Sequence, residues 1–569
     1  MDVEITDQKT DYDVVILGGG LAGLTLSLQL RMSRPEISIL ILEMRNHPAT
    51  VAGHKVGEST VELGSHYLRE VLNLKGYLEE FQLPKHGLRF FFKSRNKEDI
   101  TTRVELGPRE RLPVPSHQID RGTFENFLSQ KTQEQGTILT LGARVKDVTL
   151  SGDGHTVLYM NQGEEKTVKA RWVADASSRG SILKKKLGFQ KPMEHHVNAV
   201  WYRLKGVIDI DDWSDDVKWK SFLKPGLRYL STVHFMDKGY WVWIIPLGSG
   251  NTSIGIVADP AVHSFDEINT YEKAMVWMEK NEPLCHKMLE PKTNDLIDFL
   301  FLKHYAHHTG RLYSDERWGV TGEAGAFLDP FYSPGTDFIA MNNTWLSDLI
   351  LRDLNGDDIT VRASIYEQSH LSLIDKWIPV YQNKYLLMGN TQIMVVKIFW
   401  DWATYWSVPA LLFTNRAFTD IKMLKELFST PTSLGRKFGE LNGQMQKLFL
   451  DWAPYDKEIF SDRYIDPFDL KLLREFQQGI DAQYEPGKLI EKIAINMDAL
   501  QKLAAEIIRH VSGHVHDSPM DMKVDPYTFN LDMENKNLNP ADDTNAIGVD
   551  EDIKKDVEVM WFYTKKEFA

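Results

Sequence analysis

The chain has 569 residues, of which 42% are hydrophobic and 26% are charged, and its formal net charge is −14. This is the balance of a globular protein with room for two or three domains. The negative charge disfavours a nucleic-acid partner, because little excess Lys and Arg is left to neutralise phosphates. The single cysteine, Cys285, excludes an intramolecular disulfide and a cysteine-rich metal site, and it favours a cytoplasmic location. The polar, acidic N-terminus predicts no secretory signal.

The first predicted element is a βαβ unit over residues 11–45. Gly18 allows a tight turn after the first strand, Gly20 lets a pyrophosphate approach the backbone, and Gly23 lets the helix pack closely on the strand. Glu43 follows Gly23 by twenty residues, where a carboxylate can accept hydrogen bonds from ribose hydroxyls. The spacing therefore predicts a bound dinucleotide.

Two later strands end in turns of small residues. The first covers residues 168–181 and ends in Asp175, and the second covers 316–335 and carries Gly322-Glu323-Ala324. Together with the segment at 116–128, this order resembles the FAD-dependent monooxygenase superfamily of the aromatic hydroxylase type. In that family the late acid, usually Asp, binds the ribityl chain of the flavin, so the resemblance implies that role for Glu323.

The cofactor implied by this resemblance is FAD. Further contacts are expected from Ala22, Lys55, Val145 and Gly335. No second GxGxxG follows a strand, so no separate NAD(P)H domain is predicted. Electrons then come from outside, either from NAD(P)H that docks transiently or as reduced flavin from a separate reductase.

Residues 239–248, GYWVWIIPLG, form an unusual predicted strand. Alternation places Trp241 and Trp243 on one side and Val242 and Ile244 on the other. Two tryptophans on one face are typical of a sheet core, but they also suit a flat indole wall beside a binding site.

Four motifs, in this order, resemble those of the flavin-dependent halogenases, outside their tryptophan-specific branch. They are KVGEST at 55–60, LPKHGLRF at 83–90, WVWIIP at 241–246 and FLDPFYSPG at 327–335. The resemblance implies that reduced FAD and oxygen convert a halide to hypohalous acid, which Lys85 holds or relays to an electron-rich aromatic substrate, either a small molecule or one tethered to a carrier. It also implies that Ser333 and Gly335 bind the halide, and that Trp241, Trp243 and Tyr332 line the wall between flavin and substrate.

Two positions depart from the family pattern. Tyr332 stands where tryptophan-specific members have a glutamate, which disfavours free tryptophan as the substrate. Pro334 stands where a backbone N–H helps to bind the halide, and proline has no N–H. Either another donor replaces it, or bromide or iodide is preferred, or the protein is a flavin-dependent monooxygenase that uses no halide. A non-catalytic escort protein on the same scaffold is disfavoured, because it would not need the pyrophosphate turn.

The most apolar region, residues 385–413, is interrupted by Asn390, Lys397 and Asp401 and is therefore predicted as buried helix, not as a membrane span. Its tryptophans, Trp400, Trp402 and Trp406, fit either core packing or a substrate wall. No metal is expected at the histidine groups, which lack companion carboxylates at ligand spacing: His304, His307 and His308, and His510, His514 and His516. Gly513 predicts the end of a helix.

The predicted fold is α/β. A Rossmann-like FAD-binding domain is interleaved with a mixed β-sheet substrate domain and is followed by a mostly helical C-terminal region. We expect the FAD-binding module at 11–350, with the substrate sheet inserted at about 190–300, a helical region at 351–512, and a polar, extended tail at 513–569.

Overall fold

The structure is a computed structural model that describes residues 10–50, 57–457, 459–518, 520–531 and 546–562. The chain forms two compact units, each built from three separate segments. The first unit takes the described residues of 1–82, 119–194 and 306–373, and the second those of 83–118, 195–305 and 374–569. Strands and helices are numbered along the chain.

The first unit contains a sheet with a parallel centre. Its strands β19, β10, β1, β2 and β7 lie side by side in that order and run parallel, while β8, β9 and β18 extend the sheet by antiparallel pairing. Val14, Val15 and Ile16 of β1 are fully buried, as expected for a central parallel strand. The strands of this unit are β1 (Tyr12–Leu17), β2 (Ile39–Glu43), β7 (Ile138–Leu141), β8 (Arg144–Thr149), β9 (His155–Asn161), β10 (Glu164–Asp175), β11 (Gln190–Lys191), β17 (His308–Thr309), β18 (Tyr313–Ser314) and β19 (Trp318–Val320).

Helix α1 follows β1 directly and packs against α4 and α9. The glycine turn between β1 and α1 therefore lies at the carboxyl edge of the parallel strands, where nucleotide sites form in such sheets. The helices of this unit are α1 (Leu21–Ser33), α2 (Glu62–His66), α3 (Lys75–Phe81), α4 (Arg121–Glu134), α5 (Ile182–Lys186) and α9 (Gly335–Leu354); α10 (Thr360–Tyr381) continues into the second unit.

The second unit contains a mixed sheet of eight described strands in the order β16-β12-β15-β14-β13-β4-β5-β20. One face, with Phe235, Val242 and Ile244, packs on α7 and α8 to form a hydrophobic core. A separate two-stranded sheet joins β3 and β6. The strands are β3 (Leu83–Lys85), β4 (Leu88–Phe91), β5 (Glu105–Leu106), β6 (Ser116–Gln118), β12 (Asn198–Leu204), β13 (Thr232–Asp237), β14 (Tyr240–Pro246), β15 (Thr252–Ala258), β16 (Leu296–Leu302) and β20 (Tyr464–Ile465).

The C-terminal part of this unit is helical, and the apolar region 385–413 forms buried helix as predicted. No helix in the described part of the chain is both long and apolar enough to cross a membrane. The helices of the unit are α6 (Val217–Ser221), α7 (Tyr271–Asn281), α8 (Pro283–Leu289), α11 (Thr391–Tyr405), α12 (Leu411–Thr414), α13 (Ile421–Phe428), α14 (Leu434–Trp452), α15 (Lys471–Gly479), α16 (Pro486–His516) and α17 (Glu551–Val559).

The described C-terminal segment is tied to these helices by specific contacts. Gln392, fully buried at the start of α11, donates to the Met560 carbonyl at 2.9 Å and accepts from the Phe562 N–H at 2.6 Å. The Trp561 ring stacks on Trp452 with 5.4 Å between centroids. Residues 560–562 are thus held against the body of the unit.

Helix α16 does not end at Gly513 as predicted, but continues to His516, and Asp517 adopts the left-handed conformation that closes it. The glycine serves packing instead. A Cβ atom at Gly513 would lie 2.8 Å from the Met520 sulfur, so a larger residue would displace the segment that follows the helix.

The α/β fold class predicted from the sequence is confirmed, with an FAD-domain type of sheet, a mixed second sheet and a helical C-terminal region.

Candidate functional site

The glycines of the first turn form a backbone cradle at the end of β1. Gly18 has φ of +112°, and a Cβ there would lie 2.5 Å from the Ala176 carbonyl oxygen. A Cβ at Gly23 would lie 2.0 Å from the Gly18 oxygen. Gly20 precedes α1 with an extended backbone, and no side chain caps the helix. The first-turn N–H groups of α1 are therefore a suitable donor set for a pyrophosphate.

Glu43 closes one side of this cradle. Its Oε2 accepts a 2.6 Å hydrogen bond from the Gly19 N–H, and its Oε1 accepts one of 2.7 Å from the Arg45 N–H. These bonds fix the carboxylate at the end of β2. Each oxygen keeps acceptor capacity for a ribose hydroxyl, so the predicted role of Glu43 fits its placement.

The late turn packs directly on the first helix. Gly322 has φ of +60°, and a Cβ there would lie 2.9 Å from the Ala22 side chain. Asn343 of α9 donates to the Ala22 carbonyl at 3.1 Å and accepts from the Thr321 hydroxyl at 2.6 Å. Turns that are three hundred residues apart in sequence thus meet at one edge of the sheet. Sequence analysis missed Asn343, which lies inside an ordinary helical pattern.

The late acid of this chain is Glu323, whose side chain is one methylene longer than the usual Asp, and a serine hydroxyl binds it. Glu323 accepts a 2.6 Å hydrogen bond from the Ser178 hydroxyl, in the turn after β10. The neighbouring Lys184 donates to the Gly325 carbonyl at 2.7 Å, and burial lowers the pKa of this lysine to about 8. The middle and late turns are thereby joined, and the donors, acceptors and glycine spaces of this edge fit an FAD molecule.

Two predicted cofactor contacts are not part of this arrangement. Val145 lies half-buried in the β8–β9 hairpin, opposite Tyr159. Lys55 lies outside the described residues. Both stay predictions.

The predicted halide turn precedes α9. Ser333 has φ of +58°, and its N–H donates to the Pro330 carbonyl at 2.9 Å. Pro334 immediately precedes the helix, and its carbonyl accepts the first helical hydrogen bond, from the Phe338 N–H. The N–H groups of Gly335 and Thr336 precede that bond, so the helix start offers donors beside the position where Pro334 has none.

Lys85 ends β3, where it pairs with Ser116 of β6, and only 5% of its surface is exposed. A buried lysine is unusual, because desolvation of an ammonium group is costly unless it has a specific role or partner. Three residues later the chain enters β4, which pairs with β13, and β13 pairs with the tryptophan strand β14. Lys85 therefore belongs to the same unit as Trp241 and Trp243, whereas Tyr332, Ser333 and Gly335 belong to the first unit.

Trp241 and Trp243 lie on one face of β14, as alternation predicts, with 5.6 Å between their ring centroids. His234 stacks between the Phe90 ring at 4.6 Å and the Trp241 ring at 5.2 Å, and Phe90 lies 6.0 Å from Trp402 of α11. Trp402 stacks on Trp406 at 5.8 Å. We call this set the aromatic wall: Phe90, His234, Trp241, Trp243, Trp402 and Trp406.

Two residues that sequence analysis did not single out hold the wall in place. The Tyr385 hydroxyl accepts a 3.0 Å hydrogen bond from the Trp241 indole nitrogen. Gly255 lies under Trp243, where a Cβ would come within 2.2 Å of the indole ring. The isolated glycine inside the apolar strand TSIGIVA was the available signal, because a glycine in a strand often marks close approach of another group.

Three histidines of the two predicted groups have structural partners. The His307 ring bonds the Glu323 carbonyl at 2.8 Å, the His510 ring bonds the Glu506 carbonyl at 3.0 Å, and the His516 ring bonds the Leu531 carbonyl at 3.0 Å. Within the described ranges, no group of three or more His, Cys, Asp or Glu side chains has the geometry of a metal site.

Comparison with known proteins shows which proteins this chain is similar to. A family model described as FAD binding domain matches residues 11–254. The flavin-dependent halogenase chlA of Dictyostelium discoideum is 28% identical over 449 residues, covering 72% of this chain and 71% of that protein. The 1H-pyrrole-2-carbonyl-[peptidyl-carrier protein] chlorinase of Pseudomonas fluorescens is 25% identical over 389 residues, covering 64% and 82%.

The crystal structure of halogenase PltM in complex with phloroglucinol and FAD has the same fold, with a TM-score of 0.62 and 17% identity, and covers 90% of this chain and 99% of that one. The relatives of this chain by sequence include proteins named as halogenases of pyrrole and tetracycline compounds. The chain is therefore an FAD-dependent enzyme that is similar to flavin-dependent halogenases in sequence and to halogenase PltM in fold.

Proposed function

We propose that this enzyme works as the halogenating half of a two-component system, in which a separate reductase supplies reduced FAD and Lys85 relays hypohalous acid to an electron-rich aromatic substrate. The observation that carries the proposal is the burial of Lys85 in the unit that also holds the aromatic wall. Lysine side chains normally keep their ammonium group in water, so the burial of Lys85 calls for a specific reason.

The cofactor end of the proposal uses the edge of the first sheet. The first-turn N–H groups of α1 and the side chain of Glu43 would hold the dinucleotide, and Glu323 with Ser178 would hold the late part of the cofactor. When bound and reduced, FAD supplies the two electrons that activate oxygen for oxidation of the halide.

The start of α9 is the proposed halide site. The Gly335 and Thr336 N–H groups and the positive end of the helix dipole would attract an anion. The donor lost at Pro334 weakens this site by an amount on the order of 1.5–3 kcal/mol. Bromide and iodide give up their hydration more readily than chloride, so they are the preferred halides of the proposal.

Lys85 acts on the oxidant in this proposal. Its ammonium can donate a hydrogen bond to the hypohalous acid oxygen, which makes the halogen more electrophilic, or its amine can carry the halogen. Trp241 and Trp243, each 2% exposed and fixed by side-chain hydrogen bonds, would act as inert spacers that keep the organic substrate away from the flavin oxidant.

The proposed substrate is a phenol, an indole or a pyrrole, either free or tethered to a carrier. Electrophilic halogen needs an electron-rich ring. The relatives named for pyrrole and tetracycline halogenation act on such rings. Tyr332 replaces the glutamate of tryptophan-specific members, which argues against free tryptophan. The cytoplasm is the proposed location, since Cys285 is buried and no other cysteine exists to form a disulfide within the chain.

Pro334 favours one alternative function, a flavin-dependent monooxygenase without halide use. The test is product analysis by mass spectrometry after reaction with purified reductase, NAD(P)H, oxygen and a panel of electron-rich aromatics, with and without bromide. The proposal expects brominated product only with bromide. Hydroxylated product that is independent of halide would establish the alternative instead.

A further inference from the structure

The helical part of the second unit encloses a charged cluster that the proposed halogenation does not use. It consists of Lys384, Lys397, Asp401 and Gln446, which are 3%, 1%, 6% and 1% exposed. Lys397 pairs with Asp401 one turn later on α11, and the Gln446 amide donates to the other Asp401 oxygen at 2.7 Å. The cluster thus contains two lysines and one carboxylate, a charge imbalance that is costly in a dry interior.

Lys384 forms no ion pair of its own among the described residues, because Asp401 pairs with Lys397. Its Nζ makes one hydrogen bond to the described residues, to the Gln382 carbonyl at 3.3 Å. Burial, with the neighbouring Lys397 charge, lowers the pKa of Lys384 to about 7, so near neutrality much of it is an uncharged amine with a free electron pair. Asp401 is the other charged group that faces it.

A second polar atom of the cluster also lacks a partner. The side-chain oxygen of Gln446 is buried and accepts no hydrogen bond from the residues that the structure describes. An amine and an amide oxygen, both short of partners in one buried cluster, are complementary to a hydroxyl group, which can donate and accept hydrogen bonds.

The cluster is linked to the aromatic wall along the chain. Tyr385, the residue after Lys384, accepts the Trp241 indole hydrogen bond. Trp402, the residue after Asp401, is itself part of the wall and lies against Phe90. Lys384 and Asp401 are therefore each one residue away from a side chain that forms or holds the wall.

We propose that Lys384 is the base that binds the hydroxyl of a phenolic substrate and removes its proton, with the Gln446 side chain as a second hydrogen-bonding partner. This inference rests on the proposed function, since it assumes halogenation of an aromatic ring. It identifies the substrate class more closely, as a phenol.

The proton and electron balance of the step is simple. The phenol O–H bond breaks and a bond from hydrogen to the Lys384 nitrogen forms, which leaves a phenolate beside an ammonium. The phenolate ring carbon then attacks the halogen of the hypohalous acid, whose O–X bond breaks to release hydroxide. The ring proton joins the hydroxide as water, and Lys384 returns its proton to the product oxygen. No electrons come from the protein.

The charge balance of the cluster allows this reaction. With Lys384 protonated and the substrate ionised, two ammonium groups face two anions, Asp401 and the phenolate, so the cluster is as balanced after the proton transfer as it was before. A phenol in water ionises with a pKa of about 10, so at neutral pH its ring is activated only when a nearby base takes the proton.

The test compares the wild type with Lys384→Met on two phenols at pH 7.5, using the full chain with FAD, reductase and bromide. One phenol has ordinary acidity, and the other is acidified by ring substituents so that its own pKa lies well below the assay range. We expect kcat/KM of the ordinary phenol to fall about a hundredfold or more, and that of the ionised phenol to change less than about threefold. Equal losses on both, or no loss on either, would overturn the role of Lys384.

A soluble 1,3-diketone that traps hypohalous acid serves as the control for the proposed function. Lys384→Met should brominate this trap like the wild type. If the wild type brominates neither trap nor phenol, the proposed function fails. If it brominates the trap and both phenols, and Lys384→Met differs on none, only the inference about Lys384 fails.

A measurement on the unmodified enzyme covers the case in which the variant does not fold. The base must be uncharged to work, so kcat/KM of the ordinary phenol should fall as pH drops below about 7. The kcat/KM of the acidified phenol should not fall over this pH range. An equal fall for both phenols would contradict the assignment.

Discussion

At the scale of single residues, the cofactor site depends on spaces that only glycine leaves open. Gly20 has an extended backbone that other residues also adopt, so its side chain can be enlarged without backbone strain. We expect Gly20→Val to fold but to purify without FAD, because the valine fills the approach of the pyrophosphate. The absorbance of bound flavin measures this. Gly76→Val, at an open position of α3, should keep full flavin, and a fully flavinated Gly20→Val would refute the assignment.

Substitution of Pro334 at the halide turn should raise halide affinity, whereas the substitution of Gly20 should remove cofactor binding. Pro334→Thr restores a backbone N–H at the start of α9. We expect the apparent affinity for chloride to rise by roughly ten- to a hundredfold, and to rise more than that for bromide, since the more strongly hydrated ion gains more from a second donor. Halide titration of product formation measures both.

The matched control is Pro283→Thr, a proline at the start of α8 with no proposed role. It should leave both halide affinities as they are. An unchanged ratio of chloride to bromide use in Pro334→Thr would place the halide elsewhere.

At the scale of elements, local patterns predicted what each segment is, but not what it touches. The βαβ unit and the alternation of β14 follow from periods and glycine spacing, and both are confirmed. The partners that hold these elements, Asn343 on Ala22 and Tyr385 on Trp241, come from positions more than a hundred residues away. Such pairs depend on packing, which one sequence does not specify.

The cluster around Lys384 shows the same limit. Lys397 and Asp401 were visible in the sequence as interruptions of an apolar region, and their spacing of four suits an ion pair on a helix. Lys384 precedes a separate turn, and Gln446 lies on α14. Only the fold brings Lys384 and Gln446 close to the ion pair of Lys397 and Asp401.

Gly255 of β15 leaves the space that the Trp243 ring of β14 occupies, and this contact gives a prediction about stability. Gly255→Ala places a Cβ within 2.2 Å of the indole, so the ring or the strands must move. We expect the free energy of unfolding to fall by about 1–3 kcal/mol, measured by urea denaturation. Gly443→Ala in the helix α14, where a Cβ meets no neighbour, should instead leave stability unchanged or raise it by up to about 1 kcal/mol. Equal stabilities of Gly255→Ala and the wild type would show that the wall is loosely packed.

At the scale of the whole molecule, the residues of the proposed function are divided between the two units. The FAD edge and the halide turn belong to the first unit, and Lys85 and the aromatic wall belong to the second.

The substrate prediction belongs to this scale. Because Tyr332 replaces the family glutamate, we expect free tryptophan to be halogenated with kcat/KM at least about tenfold below that of the best phenol, indole or pyrrole, free or carrier-bound. Competition assays with product quantification measure the ratio. Tryptophan as the preferred substrate would contradict the assignment to the branch that is not tryptophan-specific.

The central claim is that Lys85 handles the oxidant after the flavin has reacted. The direct measurement is the yield of brominated product per reduced FAD consumed, in the wild type, in Lys85→Ala and in Lys224→Ala, an exposed lysine of the same unit. We expect that Lys85→Ala still binds FAD and consumes reduced flavin at the normal rate, while brominated product falls at least about a hundredfold and Lys224→Ala matches the wild type. Undiminished bromination by Lys85→Ala would contradict the central claim.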